Sequence, residues 1–172
     1  MKTVGVRGGK LAIAALLAGS VLTVGSIPAR AGLGGDATSV QADASAMAGK
    51  MSPASSQSAA TTQSAQTAEF LTQSFVTGNG VTVREYFARS GPVFGVAWQG
   101  HRPPDLSVLL GSYYPEYQAA ARAHKGPVGL HHAVIAGPNS VVYLTGHMGS
   151  LTGRAYAPSL VPSGVDPEAV VK

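Results

Sequence analysis

The residues of this 172-residue chain whose types could do chemistry are five histidines and one acid set among apolar neighbours. His131 and His132 precede the apolar run Ala133–Ala136, and His147 closes a second run that starts at Val141. Between the runs, Gly137-Pro138-Asn139-Ser140 is a type I turn sequence with proline in its second place. If the hairpin pairs Ala136 with Val141, opposing residue numbers sum to 277, so His132 faces Thr145 and His147 lies two places further along the same face. Such diagonal neighbours are ~7–8 Å apart by Cα, within reach of one shared ion or substrate. His131 then points to the other face, whereas a one-residue slip would oppose His131 to His147. Two imidazoles fall short of the three or four protein ligands of a metal site, and only His101 or a distant acid could complete one, so no metal and no cofactor is expected.

Glu85 is the acid. Strand alternation groups it with Val81, Val83 and Phe87 rather than with Thr82 and Arg84. A carboxylate on that face is either half of a structural ion pair, with Arg154 as the expected partner, or a general acid or base with a raised pKa. His147, His132 and Glu85 are therefore the catalytic candidates. Gly149-Ser150-Leu151-Thr152-Gly153 is no nucleophile elbow, because its serine stands second rather than third. Gly8-Gly9-Lys10 lacks the spacing of a phosphate loop. The absence of cysteine removes disulfides, thiolate nucleophiles and Cys-ligated zinc. Trp98, Tyr113, Tyr114 and Tyr117 offer rings for stacking, but their spacing assigns most of them to a core and leaves Tyr114 off the apolar stripe. Trp98, Tyr114 and Arg154 are the binding candidates.

All 11 aromatic residues fall between Phe70 and Tyr156, which marks a folded α+β domain over about residues 69–162. Glu69–Val76 and Val81–Arg89 are predicted strands around the Asn79-Gly80 turn. Val93–Gln99 is a third strand, apolar on both faces as a covered central strand would be. Pro103-Pro104-Asp105 announces a helix with Asp105 as its N-cap, and Pro115 either kinks it or starts a second helix. Leu130–Ala136 and Val141–His147 are two more strands, and Arg154–Ala157 adds at most a short last one. The order β-β-β-α-β-β predicts an antiparallel sheet of about five strands with a kinked helix or helix pair packed on one face.

Outside that domain the composition changes. Residues 1–31 have the parts of a signal peptide: cations at Lys2, Arg7 and Lys10, an apolar run from Leu11 to Val24, and the exit Ala29-Arg30-Ala31. The run has 14 residues against the ~20 of a spanning helix, so cleavage is expected after Ala31, with no stable membrane insertion afterwards. Loss of four cations takes the balance from 12 against 8 to 8 against 8, which removes the electrostatic case for nucleic acid. Of the 32 residues from Asp36 to Thr67, 24 are Ala, Ser, Thr or Gln, so residues 32–68 are predicted to be a flexible tether. A helix around Val40–Lys50 is the alternative, and residues 163–172 are an expected exposed tail.

Val83-Arg-Glu-Tyr86, Val93-Phe-Gly-Val-Ala-Trp98, Pro104-Asp-Leu106, Leu110-Gly-Ser-Tyr113, Gly146-His-Met-Gly149 and Gly153-Arg-Ala-Tyr156 occur in an order that resembles the exported proteobacterial proteins catalogued as a domain of unknown function, number 2844. The similarity runs from Leu33-Gly34-Gly35 through Pro162-Ser-Gly-Val165. It implies export and supplies no catalytic residue. Two functions are expected: a non-catalytic exported module, periplasmic or extracellular, that binds an envelope protein or polymer, or a small His/Glu-dependent hydrolase or metal-binding enzyme.

Overall fold

The computed structural model describes residues 32–36, 38–53, 55–59 (backbone), 68–88, 91–126, 132–147 and 149–172. The expected signal peptide lies outside the described residues. In chain order, α1 (Ser39–Ala46) is followed by β1 (Lys50–Met51), β2 (Ser55–Ala59), β3 (Ala68–Val76), β4 (Thr82–Ala88) and β5 (Val93–Gly100). Next come α2 (Leu106–Leu109), a 3₁₀ turn (Gly111–Tyr113) and α3 (Tyr114–Ala123), then β6 (Ala133–Ala136), β7 (Val141–His147), β8 (Ser150–Tyr156) and a short α4 (Pro167–Val170). No helix among the described residues is long and apolar enough to cross a membrane.

The architecture is α+β, with every strand pairing antiparallel. The sheet has eight strands rather than about five, in the order β1-β3-β4-β5-β8-β7-β6, with β2 also on β3. Two meanders, β3-β4-β5 and β6-β7-β8, join through β5 and β8. The expected short last strand is thus a seven-residue central one. Its Gly153 reads as a loop residue in sequence, yet it lies opposite Trp98, and a Cβ there would overlap the indole. The hairpin register is the expected one, Ala136 opposite Val141. Pro115 starts a second helix: it sits in the first turn of α3, while Asp105 caps α2 by accepting from the Ser107 amide at 2.9 Å.

Each face of the sheet has its own core. On one, Phe75, Val83, Phe87, Val96, Trp98, Ile135, Val142 and Ala155 are covered by Leu33, Val40, Ala44, Leu109 and Leu110, with α3 alongside. On the other, Phe70, Tyr86, Phe94, Ala97 and Tyr156 lie beneath Val165 and Val171. A β-bulge separates the two sets within β5: Tyr86 opposes Gly95 and Phe87 opposes Val93, so Phe94 is an extra residue that turns away from the helices.

Two expectations are corrected here. The segment predicted as a tether is, in its described residues, built into the fold. Val40 is fully buried on α1, Gly34 donates to the Val93 carbonyl at 2.8 Å, and Val93 donates back to Gly35 at 2.7 Å. The compositional argument counted only the segment's own apolar area, whereas α1 gains most from the sheet surface that it covers, to which its small side chains allow close approach. Residues 60–67 lie outside the described residues. The expected exposed tail is likewise docked: Val171 is fully buried, and Asp166 caps α4 by accepting from the Glu168 amide. Gly95 makes the seat, because a Cβ there would come within 2.5 Å of Val171 Cγ2.

Glu116 ties the helices to the far hairpin. From α3 its carboxylate accepts hydrogen bonds from the Asn139 amide (2.8 Å) and side chain (3.0 Å), and from the Ser140 amide (2.9 Å) and hydroxyl (3.0 Å). Partial burial works to raise its pKa, but these donors together outweigh it and hold the carboxyl below its ordinary 4.5.

Gly95→Ala should destabilise the fold by about 1–3 kcal/mol in urea denaturation, as overpacking does, and adding Val171→Ala should recover part of the loss. For Glu116→Ala, the deficit against the parent chain should be about 1–3 kcal/mol at neutral pH. A depressed pKa places that stabilisation above the unfolded value of 4.5, so the deficit should shrink as the pH falls through the folded value. Denaturation curves recorded at several pH values check both the size and the sign.

Candidate functional site

Directly opposed residues of neighbouring strands share a face, and two such rows run across the sheet on the side away from α1–α3. In the first row Thr82 opposes Gln99, Gln99 opposes Thr152, and Thr152 opposes Thr145. His132 joins its end, with Nδ1 3.2 Å from the Thr145 hydroxyl. In the second row Arg84 opposes Ala97, Ala97 opposes Arg154, and Arg154 opposes Tyr143. Alanine between two arginines leaves a trough. The resulting cavity has a volume of about 380 Å³, and its lining holds Arg84, Arg154 and Lys172 and no Asp or Glu side chain.

The docked C-terminal segment orients the two arginines. Arg154 Nη1 donates to the carbonyls of Glu168 (2.9 Å) and Val171 (3.3 Å), and its guanidinium carbon lies 4.5 Å from the centre of the Tyr143 ring. Arg84 Nη1 donates to the main-chain oxygen of Lys172 at 3.2 Å. The Tyr86 hydroxyl donates to that same oxygen at 2.7 Å and accepts from the Lys172 amide at 3.1 Å. A guanidinium has five N–H donors, so both arginines keep donors beyond these contacts. Beside them Tyr143 and Tyr156 stack, with ring centres 6.2 Å apart, and both donate to Glu168 Oε1, at 2.8 and 3.2 Å. Burial first, then the contacts with Tyr143 and Glu168, push the Tyr156 hydroxyl far up, so it remains a neutral donor.

A second cluster lies on the helix-covered face. Asp43 of α1 is 2% exposed and Glu85 of β4 fully buried, and the two carboxyl groups adjoin. Ionised carboxylates only accept hydrogen bonds, and Asp43 Oδ2 and both Glu85 oxygens are then buried with no donor. Burial dominates in pushing Asp43 up to about 7, against the opposing pull of Glu85 and the Gly32 amide. Burial, followed by the adjacent Asp43, pushes Glu85 well up.

A family model described as "Protein of unknown function (DUF2844)" matches residues 29–170. The chain belongs to this family. No curated protein and no solved structure matches it. The DUF2844 match spans α1 and α4 as well as the sheet, so residues 32–68, expected to be a tether, and the expected tail as far as residue 170 fall within the family's own extent.

The register keeps His132 and His147 on one face as expected, but Glu85 is not brought to them. His132 is exposed at the groove's end, and His147 is exposed opposite Ser150. Glu85 lies on the opposite face, opposed to Val96, because strand alternation sends it away from Arg84. The same alternation corrects the expected Glu85–Arg154 pair, since Arg154 opposes Ala97 on the groove side. His101 contacts the Gly149 carbonyl through Nδ1, and His131 lies outside the described residues. Among the described residues no group of three metal-ligating side chains occurs. Of the binding candidates, Arg154 and Trp98 both belong to the groove lining, Trp98 with its side chain buried in the helix-side core, and Tyr114 is half-buried and stacked on Tyr117. The sequence reading missed Arg84, Lys172 and Asp43. Arg84 had a local signal in its alternation with Glu85, whereas Lys172 and Asp43 belong to segments whose docking no local pattern announces.

Proposed function

We propose that this DUF2844 protein is a non-catalytic exported module that seats an anionic group of an envelope protein or polymer in the open-face groove. One observation carries the reading: Arg84, Arg154 and Lys172 line a trough whose lining holds no Asp or Glu side chain. Arginine's planar fork matches a carboxylate or phosphate bidentately, and the row of Thr82, Gln99, Thr152 and Thr145 supplies neutral donors and acceptors beside it. The volume falls at the lower end of the range for small-ligand pockets, which suits one acidic unit or the end of a chain. The cationic start, apolar run and Ala29-Arg30-Ala31 exit support export.

Glucuronate and inorganic phosphate, titrated into isotopically labelled protein, are suitable probes. Saturable amide shifts are expected at Thr82, Ala97 and Thr152, and they should weaken as salt is added. Replacing both arginines, Arg84→Gln with Arg154→Gln, should weaken binding at least ~10-fold, about 1.4 kcal/mol. No saturable shift with either probe, or undiminished binding by the double variant, would refute the anion seat. In an exporting bacterial host, the N-terminus of the processed protein should be Gly32, as Edman sequencing would read it; an unprocessed chain retained in the cytoplasm would refute export.

A further inference from the structure

The adjoining acids beneath α1 play no part in the groove, which lies on the other face of the sheet. Natural folds rarely bury a carboxylate without a donor, and here three carboxyl oxygens are in that position at once. A single proton changes the arithmetic. It turns one carboxyl into a donor for the other and removes the repulsion between two adjacent charges in a dry site.

The surroundings supply no other remedy. On β3, Gln73 opposes Glu85, and on β5 Val96 does, while Val83 and Phe87 flank it along β4. From the helices, Leu109, Leu110 and the tyrosines Tyr113, Tyr114 and Tyr117 pack on the same core. From the preceding segment comes the Gly32 amide, which acts on Asp43 alone. Asp36 is exposed and occupied with the Thr38 and Ser39 amides at the start of α1, and Lys50 is exposed on β1. No cation among the described residues acts on either buried acid.

α1 is also the element with least to hold it otherwise. Its buried side chains are Ser39, Val40, Asp43 and Ala44, so valine is its one large apolar anchor. Its far end is tied by the Gly49 amide to the Ala44 carbonyl (2.6 Å) and by the Gly78 amide to the Met47 carbonyl (3.0 Å). Two ionised acids beneath such a helix oppose its docking directly.

We propose that Asp43 and Glu85 form a buried proton-binding site, a catch that holds α1 on the sheet while protonated and releases it when the last proton leaves. The direction follows from linkage. Both acids bind protons more tightly in the docked state than in a solvated one, so docking is strongest below the ordinary carboxylate values of 3.8 and 4.5. It then weakens as the pH rises through about 7, the value to which burial lifts Asp43, with the raised Glu85 adding to the loss in the same direction.

Hydrogen–deuterium exchange of the full chain tests this, with intrinsic rates corrected for pH. Between about pH 5.5 and about pH 8.5, protection of a peptide covering residues 38–47 should fall roughly 10-fold or more, while peptides from β5 and β8 keep theirs. Glu85→Gln and, separately, Asp43→Asn should flatten the profile, since an amide stays neutral across the range. Three results would overturn the proposal: protection of 38–47 independent of pH, an unchanged profile in the variants, or protection restored at the higher pH by millimolar calcium or potassium. The last would make the occupant a metal cation. If neither variant folds, the profile of the parent chain with and without added cations decides alone.

Discussion

The pairing of β5 with β8 is the contact on which the rest of the molecule depends. Each strand closes a three-stranded meander, and neither meander alone has a complete core on either face. The join is tight because Gly153 makes room for the Trp98 ring, and Gly95, on the opposite face, makes room for Val171. A glycine inside a strand costs stability in isolation. Here each glycine accepts a large side chain from a neighbour, one toward the helices and one from the C-terminal segment, so the same pair of strands organises both layers.

Strand β4 shows how alternation divides the chemistry. Arg84 and Tyr86 lie on the open face, where both hold the main-chain oxygen of Lys172, and Glu85 between them points into the helix-side core. The hydrophobic barrier between the faces is one sheet thick, yet it separates a cationic, wet surface from a dry acidic pocket. Arginine and glutamate adjacent in sequence therefore never meet as an ion pair. Each answers to a different set of neighbours, Arg84 to the docked C-terminal segment and Glu85 to α1.

What could be read beforehand follows the same physics. Strands rich in β-branched and aromatic residues announced themselves, as did the Asp105 cap, the helix starting at Pro115 and the register that sets His132 against Thr145. Elements whose burial is lent by a partner did not. α1 is small and polar by composition, β8 is interrupted by Gly153, and the C-terminal segment has only scattered valines, yet all three are covered or cover others once the sheet exists. The groove was legible in part, through His132, Trp98 and Arg154, and Arg154 for the wrong partner, because Arg84, Arg154 and Lys172 reach one lining through pairings between distant strands and a docked C-terminal segment. A histidine-based centre was the more visible pattern in one dimension, but face parity placed its proposed acid on the other side of the sheet.

The serine-rich β2 and the two-residue β1 both lie along β3, the longest strand of the sheet. Residues of low intrinsic strand preference thereby occupy hydrogen-bonding positions that would otherwise invite another polypeptide. The opposite border, β6, is only four residues long. A broad antiparallel sheet is thus finished at one side by a polar hem and at the other by brevity, two ways of denying a template to edge-to-edge aggregation.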